Sequence, residues 1–192
     1  MAKYPVVVYG ASGYTGMLIM DWLIDQHIPF TAVARNAARA QEMMAQRVVG
    51  LESATYEIIE CAHEVDALVS VFKGARVVCN TVGPFINFGL TAVEAALKAG
   101  CHYLDPAGEQ AHIRALRDQF GELYRQAGLL LSPSLAYMYT YAEIAAELAL
   151  ETPGVDSLET ATLTRGPRTG AAGVTVGSTA TIFEGVRYPG AY

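Results

Sequence analysis

Three glycines three residues apart, Gly10, Gly13 and Gly16, interrupt the stretch VVVYGASGYTGMLI at residues 6–19. An apolar, β-branched run precedes them and a stretch of helical period follows. The chain must therefore pass from strand to helix through a bend almost free of side chains. Gly10 permits the tight turn, Gly13 keeps a Cβ away from whatever approaches the bend, and Gly16 lets the helix lie close to the strand. The helix N-terminus then offers free N–H groups and partial positive charge, which suits a pyrophosphate. Ala11 and Tyr14 complete the loop, and Ser12 and Thr15 add hydroxyl donors. The spacing is G-x-x-G-x-x-G, and such a triplet gains meaning only from its setting.

That setting is a regular alternation. Strands are predicted over residues 5–9, 30–34, 56–61, 76–82, 102–105 and 129–132. Helices are predicted over 15–26, 36–47, 64–72, 90–99, 110–126 and 141–151. Strands alternating with helices through short connections predict an α/β fold, a doubly wound parallel sheet with both faces covered and strand order 3-2-1-4-5-6. The texture changes after Pro153, where SLETATL at 157–163 alternates like a half-exposed antiparallel strand and a Gly/Thr/Ala-rich stretch follows. The expected division is a dinucleotide-binding domain over 1–152 and, over 153–192, the incomplete start of a second, α+β substrate domain, too short to build a core alone.

The bulk numbers agree. Hydrophobic residues make up 52% and charged residues 17% of the 192, which predicts a packed core. A net charge of -6 with no basic patch argues against nucleic acid as a partner. The three cysteines, Cys61, Cys79 and Cys101, form no disulfide framework or metal pattern and are expected to be reduced core thiols. No apolar run has the length of a membrane span. A soluble, cytoplasmic protein acting on a small molecule is expected, with a homodimer as the candidate assembly.

Three further stretches bear on the ligand. An NAD site places an acid near the end of the second strand to hold the ribose 2′-hydroxyl. No Asp or Glu occurs from Gln26 to Gln41; Arg35 and Asn36 stand there instead, with Arg39 one helical turn on. Two guanidiniums suit a 2′-phosphate, so NADP is expected over NAD. At the end of the fourth strand, Thr81, Val82, Gly83 and Pro84 are candidates to line the dinucleotide, with Phe85 beside them toward a substrate. After the fifth strand, Asp105 and Glu109 either face a substrate or serve the next helix, Asp105 as its cap and Glu109 in its first turn. Tyr137, Tyr139 and Tyr141, at a spacing of two, suit an extended segment. They either line a substrate cleft, Tyr137 among them, or pack against a second domain or a dimer partner.

GASGYTG at 10–16, VVCNTVGPF at 77–85 and HYLDPAGE at 102–109 together resemble the saccharopine dehydrogenase-like oxidoreductases, including the trans-acting enoyl reductases. The resemblance spans roughly the first 150 residues. It implies a Rossmann domain, a nicotinamide cofactor, and hydride transfer to or from a C=N, C=O or activated C=C bond. It also implies that the chain is an amino-terminal part of a longer enzyme, or one that a partner completes. The alternatives are a non-catalytic NADP-binding sensor or interaction module, and an N-acetyl-glutamyl-phosphate reductase-like enzyme, which would need an activated cysteine. Neither a Tyr-x-x-x-Lys pair nor a G-x-S-x-G elbow occurs, against a short-chain dehydrogenase and a serine hydrolase. Arg35 argues against a flavoprotein, whose FAD fingerprint also wants an acid there.

Overall fold

The computed structural model describes residues 1–161, with only the backbone of Tyr137 and Met138. The chain alternates β1 (Val6–Tyr9), α1 (Tyr14–Asp25), β2 (Phe30–Ala34), α2 (Ala37–Arg47), β3 (Tyr56–Glu60) and α3 (Val65–Phe72). It continues through β4 (Val77–Asn80), α4 (Phe85–Ala99), β5 (His102–Leu104), α5 (Gln110–Gln126), β6 (Leu131–Ser132) and α6 (Tyr137–Leu150). All neighbouring strands pair parallel, in the order β3-β2-β1-β4-β5-β6. This is the predicted doubly wound sheet. The order reverses between β1 and β4, which opens a crevice at the carboxyl ends of these two strands.

Side chains on a strand alternate between faces, and β1 shows what that does here. Val7 and Tyr9 enter one core with Leu68, Phe72, Val93, Ala96, Tyr103 and Leu116, under α3, α4 and α5. Val8 enters the other with Met20, Leu23, Phe30, Ala32 and Met44, under α1 and α2. With both faces covered, β1 and β2 have no polar alternation to show. Burying each large aliphatic or aromatic side chain contributes about 1.5–3 kcal/mol relative to leaving it exposed.

The structure corrects several expected boundaries. β4 stops at Asn80, because the Val82 N–H donates to Asn80 Oδ1 at 2.9 Å and turns the chain out of the sheet. α4 starts at Phe85, five residues before the predicted start; its first N–H donates to Glu109 Oε1 at 2.9 Å, so a carboxylate from another loop caps it. α6 starts at Tyr137, so Tyr139 and Tyr141 stand on a helix. There the strong helix formers of AEIAAELAL outweigh the tyrosine spacing and carry the helix backward. Residues 157–161 form no strand and have no strand neighbour among the described residues. The remainder of the expected second domain lies outside the described residues.

Two glycines make opposite predictions. A Cβ at Gly16 would lie 2.6 Å from the Gly10 carbonyl oxygen, whereas a Cβ at Gly121, inside α5, meets nothing within 4 Å. Gly16→Val is expected to lower stability in urea by about 3 kcal/mol. Gly121→Ala is expected to raise it by roughly 0.5–1 kcal/mol through helix propensity.

Candidate functional site: a cleft at the ends of β1, β2 and β4

The bend after β1 is built from main chain. Gly10 has φ of +97°, a conformation that favours glycine, and a Cβ there would strike Thr81 Oγ1 at 2.5 Å. The Gly10 and Ala11 N–H groups donate to the Val33 carbonyl of β2 at 2.9 and 3.2 Å, and the Gly13 N–H donates back to Gly10 O at 2.8 Å. Across the bend, the Thr81 hydroxyl donates to Tyr9 O at 2.9 Å. The bend is thereby tied to β2 and to the end of β4 at once.

Beside it opens a cavity of about 340 Å³. Tyr9, Gly10, Ser12, Gly13, Tyr14, Thr15, Ala34, Arg35, Thr81, Val82 and Gly83 line it. Gly13 is the N-cap of α1, with no side chain capping the helix and no acid in its first turn. The first N–H groups of a helix have no partner within it, so these are free to meet an anion at the cavity. At the far wall Arg35 is exposed and joins no ion pair among the described residues.

The structure thus gathers most of the sequence-predicted cofactor residues around one cavity. Five stand apart from its lining. Ala11 is wholly buried. Asn36 caps α2, its Oδ1 accepting the Arg39 N–H at 2.8 Å. Gly16 is buried within α1, Arg39 lies in the first turn of α2, and Pro84 immediately precedes α4.

The candidate substrate residues face differently. Asp105 is neither a substrate-facing group nor the cap of α5. Its side chain has no exposure; Oδ1 accepts the Ala107 and Ser134 N–H groups at 2.9 and 3.1 Å, and Oδ2 lies 3.0 Å from His112 Nε2. Its charge is used inward. Phe85 is also buried, with its ring against His112. Glu109 takes the N-cap position of α5 rather than its first turn, and its carboxylate caps α4. Tyr137 opens α6.

Sequence reasoning missed Tyr9, Ala34, His63 and His112. Tyr9 reads as one more apolar strand residue, yet its hydroxyl reaches His63 Nδ1 at 2.6 Å. Burial pushes the Tyr9 phenol up to about 12. Burial first, and then Arg35, holds the His63 imidazole below its ordinary value. Its Nε2 is buried without a partner, and its ring meets Phe88 edge-on at 5.1 Å. Cys61 and Cys101 are buried in the core, and Cys79 is half-buried on β4. Burial pushes the Cys79 and Cys101 thiols up to about 11, the reverse of what a nucleophile needs. No three metal-ligating side chains come together among the described residues, and no helix there is long and apolar enough to cross a membrane.

A parallel six-stranded sheet with a glycine bend and an open cavity at its switch point defines a dinucleotide-binding domain of the Rossmann class. Residues 6–131 match the family model of the saccharopine dehydrogenase NADP binding domain, and the chain belongs to that family. Among curated proteins, it is 28% identical over 136 residues to a "Lipid droplet localized protein" of Caenorhabditis elegans, covering 67% of this chain and 32% of that one. It is 34% identical over 110 residues to a trans-acting enoyl reductase of Mycobacterium tuberculosis, covering 56% of this chain and 26% of the relative. The chain thus spans a third or less of the length of these relatives. Among solved structures, YwfH, an NADPH-dependent reductase involved in bacilysin biosynthesis, superposes with a TM-score of 0.53 at 13% identity, covering 67% of this chain and 74% of that one. The apo form of AtPrR2 superposes with a TM-score of 0.50 at 19% identity, covering 66% and 46%. These two likenesses show the fold.

The lowered His63 has a consequence for stability. The unfolded ring takes a proton near its ordinary 6.5, while the folded ring resists it. Below that pH the unfolded chain binds more protons, so stability falls as pH falls. His63→Phe is expected to flatten this loss, seen as urea midpoints that change less below pH 6.5 than those of the wild type. Midpoints falling in parallel would contradict the assignment.

Proposed function

We propose that this chain binds NADP(H) and forms the cofactor-holding part of an oxidoreductase. The single observation that carries this reading is the cavity itself. It joins the uncapped start of α1 to an exposed Arg35 that joins no ion pair among the described residues, at the end of a strand that offers no acid. The residues fit the group. N–H groups of the bend and of the first turn of α1 suit the diphosphate, with Ser12 and Thr15 hydroxyls beside them. Arg35 suits the 2′-phosphate and Arg39 the space next to it, while a ribose 2′-hydroxyl would find no carboxylate on β2. Thr81, Val82 and Gly83 bound the cavity where the second mononucleotide half begins.

When bound, the cofactor supplies or accepts a hydride. This chain's residues bind it, orient it and shield one side of it. A C=N, C=O or activated C=C bond is the substrate class, supported by membership in the family and by likeness to a protein named as an enoyl reductase. The other reading, a binding module without chemistry, draws on one fact. Among the described residues, the titratable side chains lining the cavity are Tyr9, Tyr14 and Arg35, and Tyr9 is buried with its phenol pushed up to about 12.

Arg35→Ala separates the cofactors. Titrations followed by reduced-nicotinamide fluorescence are expected to show NADPH binding weakened by about 10- to 100-fold, as for loss of a charge-assisted contact, with NADH binding little changed. Equal losses for the two would remove Arg35 from the 2′-phosphate.

A further inference from the structure

Away from the cavity, one buried polar cluster has no part in the binding described above. It lies at the carboxyl end of β5. The side chains of Asp105 and His112 are both wholly buried and lie 3.0 Å apart, Oδ2 to Nε2. A carboxylate accepts, so the His112 Nε2–H donates. That leaves His112 Nδ1 buried and without a partner among the described residues. Burying such a pair costs desolvation that an apolar pair of like volume avoids. The pair is therefore a poor device for stability alone, and its contacts show what it holds.

His112 presses on α4. Its ring centroid lies 5.8 Å from that of Phe85. A Cβ at Gly89 would come within 2.2 Å of its Cε1. Phe85 and Gly89 are four apart, so they share one face of the first turns of α4. Gly89 is the position where only a missing side chain admits the ring. Glu109 holds the same helix start by accepting the Phe85 N–H. Asp105 meanwhile ties in the loop after β6. Its Oδ1 accepts from Ser134, its carbonyl accepts the Leu135 N–H at 2.8 Å, and the Ser134 hydroxyl donates to Ala107 O at 2.8 Å. The start of α4 and the loops after β5 and β6 thus meet at one buried pair.

Their place in the fold gives the consequence. In a doubly wound sheet each half receives one mononucleotide. Arg35 assigns the 2′-phosphate, and so the adenosine, to the half of β1, β2 and β3. The nicotinamide half then lies over β4 and β5, against residues 81–83, whose chain runs directly into α4. We propose that His112 and Asp105 are positioning residues for the nicotinamide half of the cofactor, acting by fixing the start of α4 and with it the turn at residues 81–85. This rests on the NADP(H) reading given above. Neither residue touches the cofactor; the pair sets where the turn stands.

The test compares two ligands on the full chain, NADPH and 2′,5′-ADP, which carries the adenosine and 2′-phosphate but no nicotinamide. His112→Phe keeps a ring and loses the link to Asp105. The expected result is a loss of about tenfold in NADPH affinity, with 2′,5′-ADP bound within twofold of wild type. His112→Gln, which can still present an N–H toward Asp105 Oδ2, is expected to recover most of the loss. Should His112→Phe not fold, Gly89→Ala displaces the ring without removing either polar group and is expected to give the same split. Equal loss of both ligands, or no loss of either, in the variants that fold overturns the proposal. Failure of the wild type to bind 2′,5′-ADP and NADPH alike would instead remove the NADP(H) reading on which it stands.

Discussion

The Cα hydrogen of Gly16 occupies the place where any side chain would strike the carbonyl oxygen of Gly10, and Gly10 in turn lies too close to Thr81 to carry a Cβ. The rest of the site depends on this three-way contact. It brings the start of α1, the end of β1 and the exit of β4 within van der Waals distance, with main chain on most of the touching surfaces. Hydrogen bonds from Gly10 and Ala11 to Val33, and from Thr81 to Tyr9, then fix the three strand ends relative to one another. An uncapped helix start held this rigidly suits an anion, because its N–H groups need no rearrangement to meet one.

The cavity beside that contact is asymmetric, and the asymmetry is electrostatic. Toward β2 it ends at an exposed guanidinium. Toward β4 and β5 it is bounded by small residues, while the charged groups of the HYLDPAGE stretch face inward or cap helices. Asp105 spends its carboxylate on two main-chain N–H groups and a histidine, and Glu109 spends one oxygen on the start of α4. The acids that the sequence offers next to a substrate therefore shape the loops around the cavity. The chain spans a third or less of the length of the curated relatives it matches.

Much of this was legible in the sequence, for reasons that differ by residue. Strand 30–34 and helix 110–126 stand where the pattern put them, because a wholly buried strand and a long amphipathic helix carry strong local signals. The glycine bend was legible because its geometry is set locally, within seven residues. The start of α4 was not. The predicted helix began only at Leu90, and the reason for Gly89 inside α4 is the ring of His112, far along the chain. Asp105 had a cap-like position, yet its partners come from residues 107, 112 and 134 and are set by tertiary packing. The spacing of Asp105 and His112, seven apart, was the one available hint, and it is too common to use. Tyr9 and His63 were hidden for the same reason: their pairing spans 54 residues and depends on neighbouring strands being brought into register.

The central claim is that the bend of residues 10–16 holds the diphosphate of NADP(H) by its main chain. A diffraction structure of the chain grown with NADPH tests it most directly. The account predicts diphosphate oxygens within hydrogen-bond distance of N–H groups in the bend and first turn of α1, with the 2′-phosphate on Arg35. A cofactor bound elsewhere, with the bend vacant, would contradict it.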